Sequence, residues 1–383
     1  MIAAPVPSVA PASGQPTRFV SLDVFRGLAV ALMIVVNTAG PGAPPFTQLV
    51  HASWTGFTLA DLVFPSFLFA VGTSMSFGFR KPVPTRTFYA RLLRRVSLIF
   101  LLGFLMYWYP FVAPQPGGGW ALKPLADTRL TGVLQRIALC YLLAAPLVRH
   151  LSMRALAAVA LLLLVVHWAV LMQWSLPGEA WSRHGNAGTR LDLWLIGRDH
   201  LYRKDGGFDP EGLLGTLSAT VNLLAGFMAG RFVQHAGRQA RKVALLAPAG
   251  LMLIVLSLAL SAVVPLSKKL WTGSFVFLTV GIDLVLLALL IVFELRRRQH
   301  GSGFLGVFGR NPLAIYLFSE LLVMTLVLIP APPHEHAWAW IGVTIFQGIA
   351  PGPFGSLLCA TAYMLVCWLF GWLLDRNHWH LRL

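Results

Sequence analysis

Ten long, largely apolar stretches dominate the chain, at residues 22–40, 57–79, 96–113, 131–148, 155–173, 212–230, 243–264, 271–293, 311–330 and 353–374. A helix needs about 20 mostly apolar residues to cross a bilayer core roughly 30 Å thick. Composition alone, 57% apolar and 11% charged, also fits an unusually greasy soluble protein. The stretches decide between the two, because they cover more than half of the 383 residues and leave no soluble domain of ordinary size. The expected fold is all-α: a polytopic integral membrane protein of about ten transmembrane helices, forming a single membrane domain over residues 21–376. A flexible N-terminal segment, 1–20, precedes it, and a short tail, 377–383, follows it.

The net charge of +16 invites a nucleic-acid reading. The distribution of that charge argues against it. With the N-terminus taken as cytoplasmic, the inner segments hold 20 Lys and Arg and the outer segments nine, while Arg136 alone falls inside a span. Lys and Arg collect on the cytoplasmic side of membrane proteins. Topology thus accounts for most of the charge. Both termini are expected in the cytoplasm, the lipid bilayer is the expected partner, and the location is a bacterial-type inner membrane. No nucleic acid is expected, and a homodimer is compatible with the chain.

The first 17 residues carry no Lys or Arg, so the first span reads as an uncleaved anchor. Inner loop 80–95 interleaves basic residues with Phe88, Tyr89, Leu92 and Leu93, as an interfacial helix on anionic lipid does. Outer loop 174–211, with Trp181, Trp194 and Tyr202, either lines a substrate entrance or is a solvated connector. Gly226 and Gly230 form a GxxxG pair suited to close helix packing. Cys140, Cys359 and Cys367 all fall in spans and have no disulfide or zinc spacing, so no metal is expected.

Ionisable groups inside a membrane are costly and raise a functional hypothesis by default. The densest cluster lies early: Ser21-Leu22-Asp23-Val24-Phe25-Arg26-Gly27, then Asn37, then His51 through Pro65. His51 is either a solvated loop residue or a proton acceptor, since neutral imidazole titrates near neutrality. Asn37 is either the end of its helix or an amide donor to a developing oxyanion. Asp61, three residues after Thr58, fits a capping box and also sits within reach of a substrate or of His51. Pro65 is placed to bend its span. At the inner end, Asp23 and Arg26 either complement the helix dipole or, with Arg136, Arg310 and Asn311, form an anion site for the phosphates of a cytosolic cofactor. A buried carboxylate, Asp283 or Glu320, is the alternative partner for Arg136. His167 and Asn222 read as interhelical hydrogen-bond formers. Asp209-Pro210-Glu211-Gly212 reads as a helix start.

Together these blocks resemble the heparan-α-glucosaminide N-acetyltransferase family and its bacterial relatives, within the wider transmembrane acyltransferase group. The likeness rests on residues 21–27, Val36-Asn37 and His51 through Pro65. Weaker support comes from Gly132 through Arg136, Asp209 through Thr216, and Gly309-Arg310-Asn311-Pro312. The resemblance implies an enzyme that takes an acetyl group from cytosolic acetyl-CoA and places it on an amino sugar across the membrane. It puts the catalytic His on His51 and the nearby Asn on Asn37. The chain departs from the family in a longer Gly-Pro-rich loop before His51 and in Thr55, where Asn is typical; both lie on the acceptor side. The implied mechanism leaves His51 as base or as transient acetyl carrier, and the acceptor as an envelope saccharide, a peptidoglycan fragment or a lipid-linked sugar. The rival class is a secondary transporter of a small polar solute or sugar, which ten spans with scattered polar residues also fit.

Overall fold

Each of the ten apolar stretches contains a helix in the computed structural model of the protein, which describes residues 20–79, 83–114, 119–237, 239–297 and 303–381. Most of the expected N-terminal segment lies outside the described residues, as do Arg18, Arg80, Lys81, Arg238, Arg298 and Arg382 of the inner charge count. In chain order the helices are α1 (Val20–Asn37), α2 (Leu59–Gly78), α3 (Thr85–Trp108), α4 (Val133–His150), α5 (Met153–Trp174) and α6 (Ala187–Leu195). Then come α7 (Leu213–Ala236), one-turn α8 (Ala240–Val243), α9 (Leu246–Leu260), α10 (Gly273–Arg297), α11 (Gly303–Arg310) and α12 (Pro312–Leu328). Short α13 (Ala337–Trp340) and α14 (Gln347–Ile349) flank a π-helical turn, and α15 (Pro353–Arg376) closes the order.

Among the described residues, seven helices are long and apolar enough to cross a membrane: α1, α2, α5, α7, α8 with α9, α10 and α15. The count becomes eight if α11 and α12, which meet at 85°, form one broken span. The ten-span expectation differs at α3 and α4. The first half of α3 carries Arg86, Arg91, Arg94 and Arg95, so the basic segment expected as a separate interfacial helix is continuous with the helix that follows it. Pro110 ends α3 early, because the residue before a proline is driven out of the helical region. A small antiparallel hairpin follows, Val112–Pro114 on Trp120–Leu122. α2 runs unbroken through Pro65.

Glycines set the closest crossings. A Cβ on Gly27 would collide with the Leu305 carbonyl, and one on Gly309 with the Asp23 carbonyl, so α1 and α11 touch backbone to backbone. Two motif blocks far apart in sequence, 21–27 and 309–312, are thereby brought together. Gly72 and Gly226 do the same for α2 and α7, and Gly230 makes room for the Ser76 side chain, the use expected of the GxxxG pair. Asn222 links helices as well: its amide donates to Thr279 Oγ1 at 3.0 Å and its carbonyl accepts from Trp271 Nε1 at 3.0 Å. At the start of α1 the Glu294 carboxylate accepts the Val20 and Ser21 N–H groups, at 3.2 and 2.7 Å, filling the need of a helix N-terminus for acceptors.

Candidate active site

The polar residues gather at two opposite ends of the bundle. At one end, the 41–56 loop carries His51, and its Nδ1 lies 3.0 Å from Asp61 Oδ1 in the first turn of α2. The other carboxylate oxygen accepts the Ala52 N–H at 3.2 Å and the Thr58 N–H at 3.1 Å. Asp61 therefore caps α2 and orients His51 at once, so the two readings of this residue coexist. The side chain of His51 is 41% exposed and that of Asp61 is 1% exposed. Nδ1 is turned to a buried carboxylate, and Nε2 is the ring atom that Asp61 does not engage.

Three loops, all assigned to the outer side by charge, are stitched together here. Gly56 N–H donates to Leu266 O at 2.8 Å, Ser267 Oγ donates to Trp54 O at 2.8 Å, and Trp54 Nε1 donates to Trp181 O at 2.7 Å. The second of these bonds brings the 261–272 loop onto His51, so that Lys268 Nζ lies 3.1 Å from both ring nitrogens. Lys268 is half-buried but crowded by protein. That desolvation pulls its ammonium down to about 8, with Arg136 and Lys269 adding to the fall and Glu211 and Asp61 opposing it.

Glu211 belongs to a second cluster in the same region. Arg129 donates to Asp209 Oδ1 and to Glu211 Oε2, both at 2.6 Å, and to the Tyr107 hydroxyl at 3.3 Å. Its guanidinium lies 4.6 Å over the Tyr202 ring. Burial works against the charge of Arg129, but Glu211, Tyr107 and Asp209 more than offset it and hold it protonated. Burial likewise opposes the Asp209 carboxylate, and Arg129 with Thr131 and the Glu211 N–H overcomes it, so Asp209 sits below the usual carboxylate range. Asp192 lacks such a partner. Burial and the nearby Asp209 raise it to about 7, against the Leu213 N–H, which it accepts at 2.9 Å, and Arg136.

Asn37 ends α1, and its amide donates to Glu320 Oε1 at 3.2 Å. No hydrogen bond joins it to His51 among the described residues. Arg136 is wholly buried, donating to the Gly212 carbonyl at 2.9 Å and stacked 5.0 Å from Trp271. Its partner is thus neither Asp283, which accepts from Ser66 Oγ at 2.5 Å, nor Glu320. It also stands apart from Arg26 and Arg310, on the His51 side of the bundle.

The opposite end holds a cavity of about 1510 Å³. Among the described residues seven arginines line it (Arg26, Arg91, Arg94, Arg95, Arg149, Arg231 and Arg310), against one acid, Asp23. All seven belong to the inner charge group of the sequence. Arg26 donates to Asp23 at 3.2 Å, and Arg310 makes two 2.6 Å bonds to Asp375. Asn311 reaches the cavity only indirectly: its amide donates to the Trp379 carbonyl at 3.0 Å and its own carbonyl accepts the Leu381 N–H at 3.3 Å, holding the tail against the mouth. Beyond the arginines the walls turn apolar. The cavity follows α4 from Arg149 back to Val133, about 24 Å at 1.5 Å per residue. It also reaches Met33 and Tyr316. Asn37 and Glu320 stand four residues further along the same helices, hence one turn beyond on the same face.

Sequence reasoning missed Lys268, Glu320 as the partner of Asn37, and the Arg129–Asp209–Glu211 cluster. The only sequence signal for Lys268 was its place in a short outer loop; for Arg136 it was a position five residues into the outer end of the 131–148 span, which already set it away from the cytoplasmic mouth.

Fold and site together define a multi-pass helical membrane protein with a histidine–carboxylate pair at one end and an arginine-lined cavity at the other. Residues 18–183 match the family model described as heparan-alpha-glucosaminide N-acetyltransferase, catalytic. The chain is 28% identical over 364 residues to the heparan-alpha-glucosaminide N-acetyltransferase of Homo sapiens, covering 81% of this chain and 54% of that protein. The Mus musculus protein of the same name is 28% identical over 367 residues, covering 80% and 54%. The resemblance read from the sequence is thereby borne out, while the chain spans about half the length of the curated relatives it matches. Arg26, Asn37, His51, Asp61 and Arg136 lie within the family match; Lys268, Arg310, Asn311 and Glu320 lie outside it.

Proposed function

We propose that the protein is a membrane-embedded acetyltransferase of a bacterial inner membrane. It takes an acetyl group from cytosolic acetyl-CoA and passes it to an amino sugar or related saccharide on the outer side. One observation carries this reading: a cavity with a seven-arginine mouth whose far end stops one helical turn short of the Asn37–Glu320 pair. CoA is a polyphosphate with a long, neutral arm. Arginines bind phosphate bidentately and stay charged at all working pH values. Arg26, Arg310 and the arginines of α3 would hold the phosphates, and the apolar walls along α4 would take the arm. Asn311 would act by fixing the tail beside the mouth, and Arg136 would serve the His51 end.

The chemistry is acyl transfer. The acceptor amine attacks the thioester carbonyl, forming a C–N bond, while its proton passes to Nε2 of His51. Asp61 holds the ring through Nδ1 and stabilises the imidazolium that forms. The amide of Asn37 is the donor offered to the developing oxyanion. The C–S bond then breaks, and the proton on His51 returns to the departing thiolate as CoA leaves. In the covalent variant Nε2 of His51 attacks the thioester and the C–S bond breaks to release the CoA thiolate; the amine then takes the acetyl group, the C–N bond to the imidazole breaks, and the amine's proton is left on the ring.

The test is CoA release from acetyl-CoA by protein reconstituted in vesicles, with a panel of amino sugars as acceptors. Release that needs both an amino sugar and His51 supports the reading. A folded His51→Ala protein with normal turnover, or a wild type that carries sugars across the vesicle without consuming acetyl-CoA, overturns it in favour of a transporter.

A further inference from the structure

The 261–272 loop is docked on the His51 loop by two backbone-directed bonds, Gly56 N–H to Leu266 O and Ser267 Oγ to Trp54 O, each 2.8 Å. The Leu270 N–H donating to Ser267 Oγ at 3.2 Å stiffens the turn. Lys268 thus arrives at His51 on a built support, from a position 217 residues further along the chain.

A histidine paired with a buried carboxylate is biased toward imidazolium, because the opposite charge favours the protonated form. Imidazolium cannot accept a proton. We infer that Lys268 is a positioning residue of this site: its ammonium, 3.1 Å from both nitrogens of His51, opposes the pull of Asp61 on the ring and so favours the form that accepts a proton. The assignment rests on the reading of His51 as the base. The charged groups facing Lys268 are Asp61 on α2, Glu211 just before α7, Arg136 on α4 and its neighbour Lys269. Those in contact with His51 are Asp61 and Lys268. With its own titration near pH 8, Lys268 keeps its charge at neutrality. The same charge disfavours a protonated acceptor, so the neutral, nucleophilic amine is the form admitted.

The test reads His51 directly, independent of turnover. The full-length protein is treated with diethylpyrocarbonate across a pH series, and the His51 peptide is followed by mass spectrometry. Two like charges at this distance, partly screened by water, interact enough to move a midpoint by about one pH unit. Lys268→Gln and the equally long, uncharged Lys268→Met should therefore raise the His51 midpoint by about one unit. Lys268→Arg should leave it in place, and Asp61→Asn should lower it. The acid limb of CoA release should move with the midpoint in the Gln and Met variants. A folded Lys268→Gln or Lys268→Met protein whose His51 midpoint is unmoved overturns the assignment. Failure of the acetyltransferase reading shows elsewhere, as wild-type protein that releases no CoA.

Discussion

The two ends of the bundle solve opposite problems with the same kinds of residue. At the His51 end, charges come in matched partners: His51 with Asp61, Arg129 with Asp209 and Glu211, Lys269 with Asp205. At the other end, seven arginines face a cavity with a single acid among its lining residues. Matched charge fixes side chains in place, which is what chemistry needs from its reacting groups. Excess charge of one sign around a large space raises the local concentration of an anion. On the proposed reading, the difference teaches a division of labour: one end for bond making, the other for holding a polyanionic donor.

Substitutions should break that division cleanly. The largest effect is expected from His51→Ala, which should cut acetyl transfer by roughly two to four decades while leaving acetyl-CoA affinity unchanged. Steady-state CoA release combined with a donor-binding titration reads both; a parallel loss of donor affinity would merge the two ends. Asn37→Ala should follow, with a loss of about two to three decades in turnover and again no change in donor binding.

Arg26→Ala, at the opposite end, should do the converse. A charge-assisted contact is worth about 1.5–3 kcal/mol, so donor affinity should fall roughly ten- to a hundredfold at preserved turnover under saturation. Raising the salt concentration should weaken the wild type in the same direction. Arg136→Ala sharpens the boundary, because it should leave acetyl-CoA affinity intact and lower thermal stability or turnover instead. A loss of affinity equal to that of Arg26→Ala would return Arg136 to the donor site.

The last expected effect is on stability rather than on turnover or binding, and it concerns pH. The Asp192 carboxyl is held at about 7 in the folded protein, above its ordinary value of 3.8. Between those two values the folded state binds more protons than the unfolded one, so stability should fall as pH rises from about 4 to 7. Asp192→Asn should flatten that slope in a melting-temperature series. A variant that keeps the full slope would place the responsible group elsewhere.

Local features of the site were legible in the sequence. The spans announced themselves as apolar runs because lipid imposes length and composition together. Thr58 and Asp61 sit three residues apart, so their capping box could be read from spacing, and His51 is near enough in the chain to share that neighbourhood. Asn222 could be read as an interhelical link because a buried amide must find a partner. What could not be read was long-range pairing. Lys268 is one of two adjacent lysines in an unremarkable loop, and only the docking of Ser267 on Trp54 makes it a neighbour of His51. Glu320 meets Asn37 across 283 residues of chain. Arg310 and Asn311 are adjacent in sequence, yet only packing shows that one engages Asp375 and the other the tail.

The glycine contact between α1 and α11 also has a bearing on how the protein is made. Ribosomes deliver chains from the N-terminus onward, and α1 is among the first segments to leave. Its backbone neighbour at Gly309 and the carboxylate that accepts the Ser21 N–H, Glu294, emerge more than 270 residues later. Until then the Asp23–Arg26 end of α1 lacks the wall that α11 supplies. The arginine-lined cavity is completed only when late helices slot in beside early ones, so a bulky residue at Gly27 should stall biogenesis near its last steps, after most spans are already in the lipid.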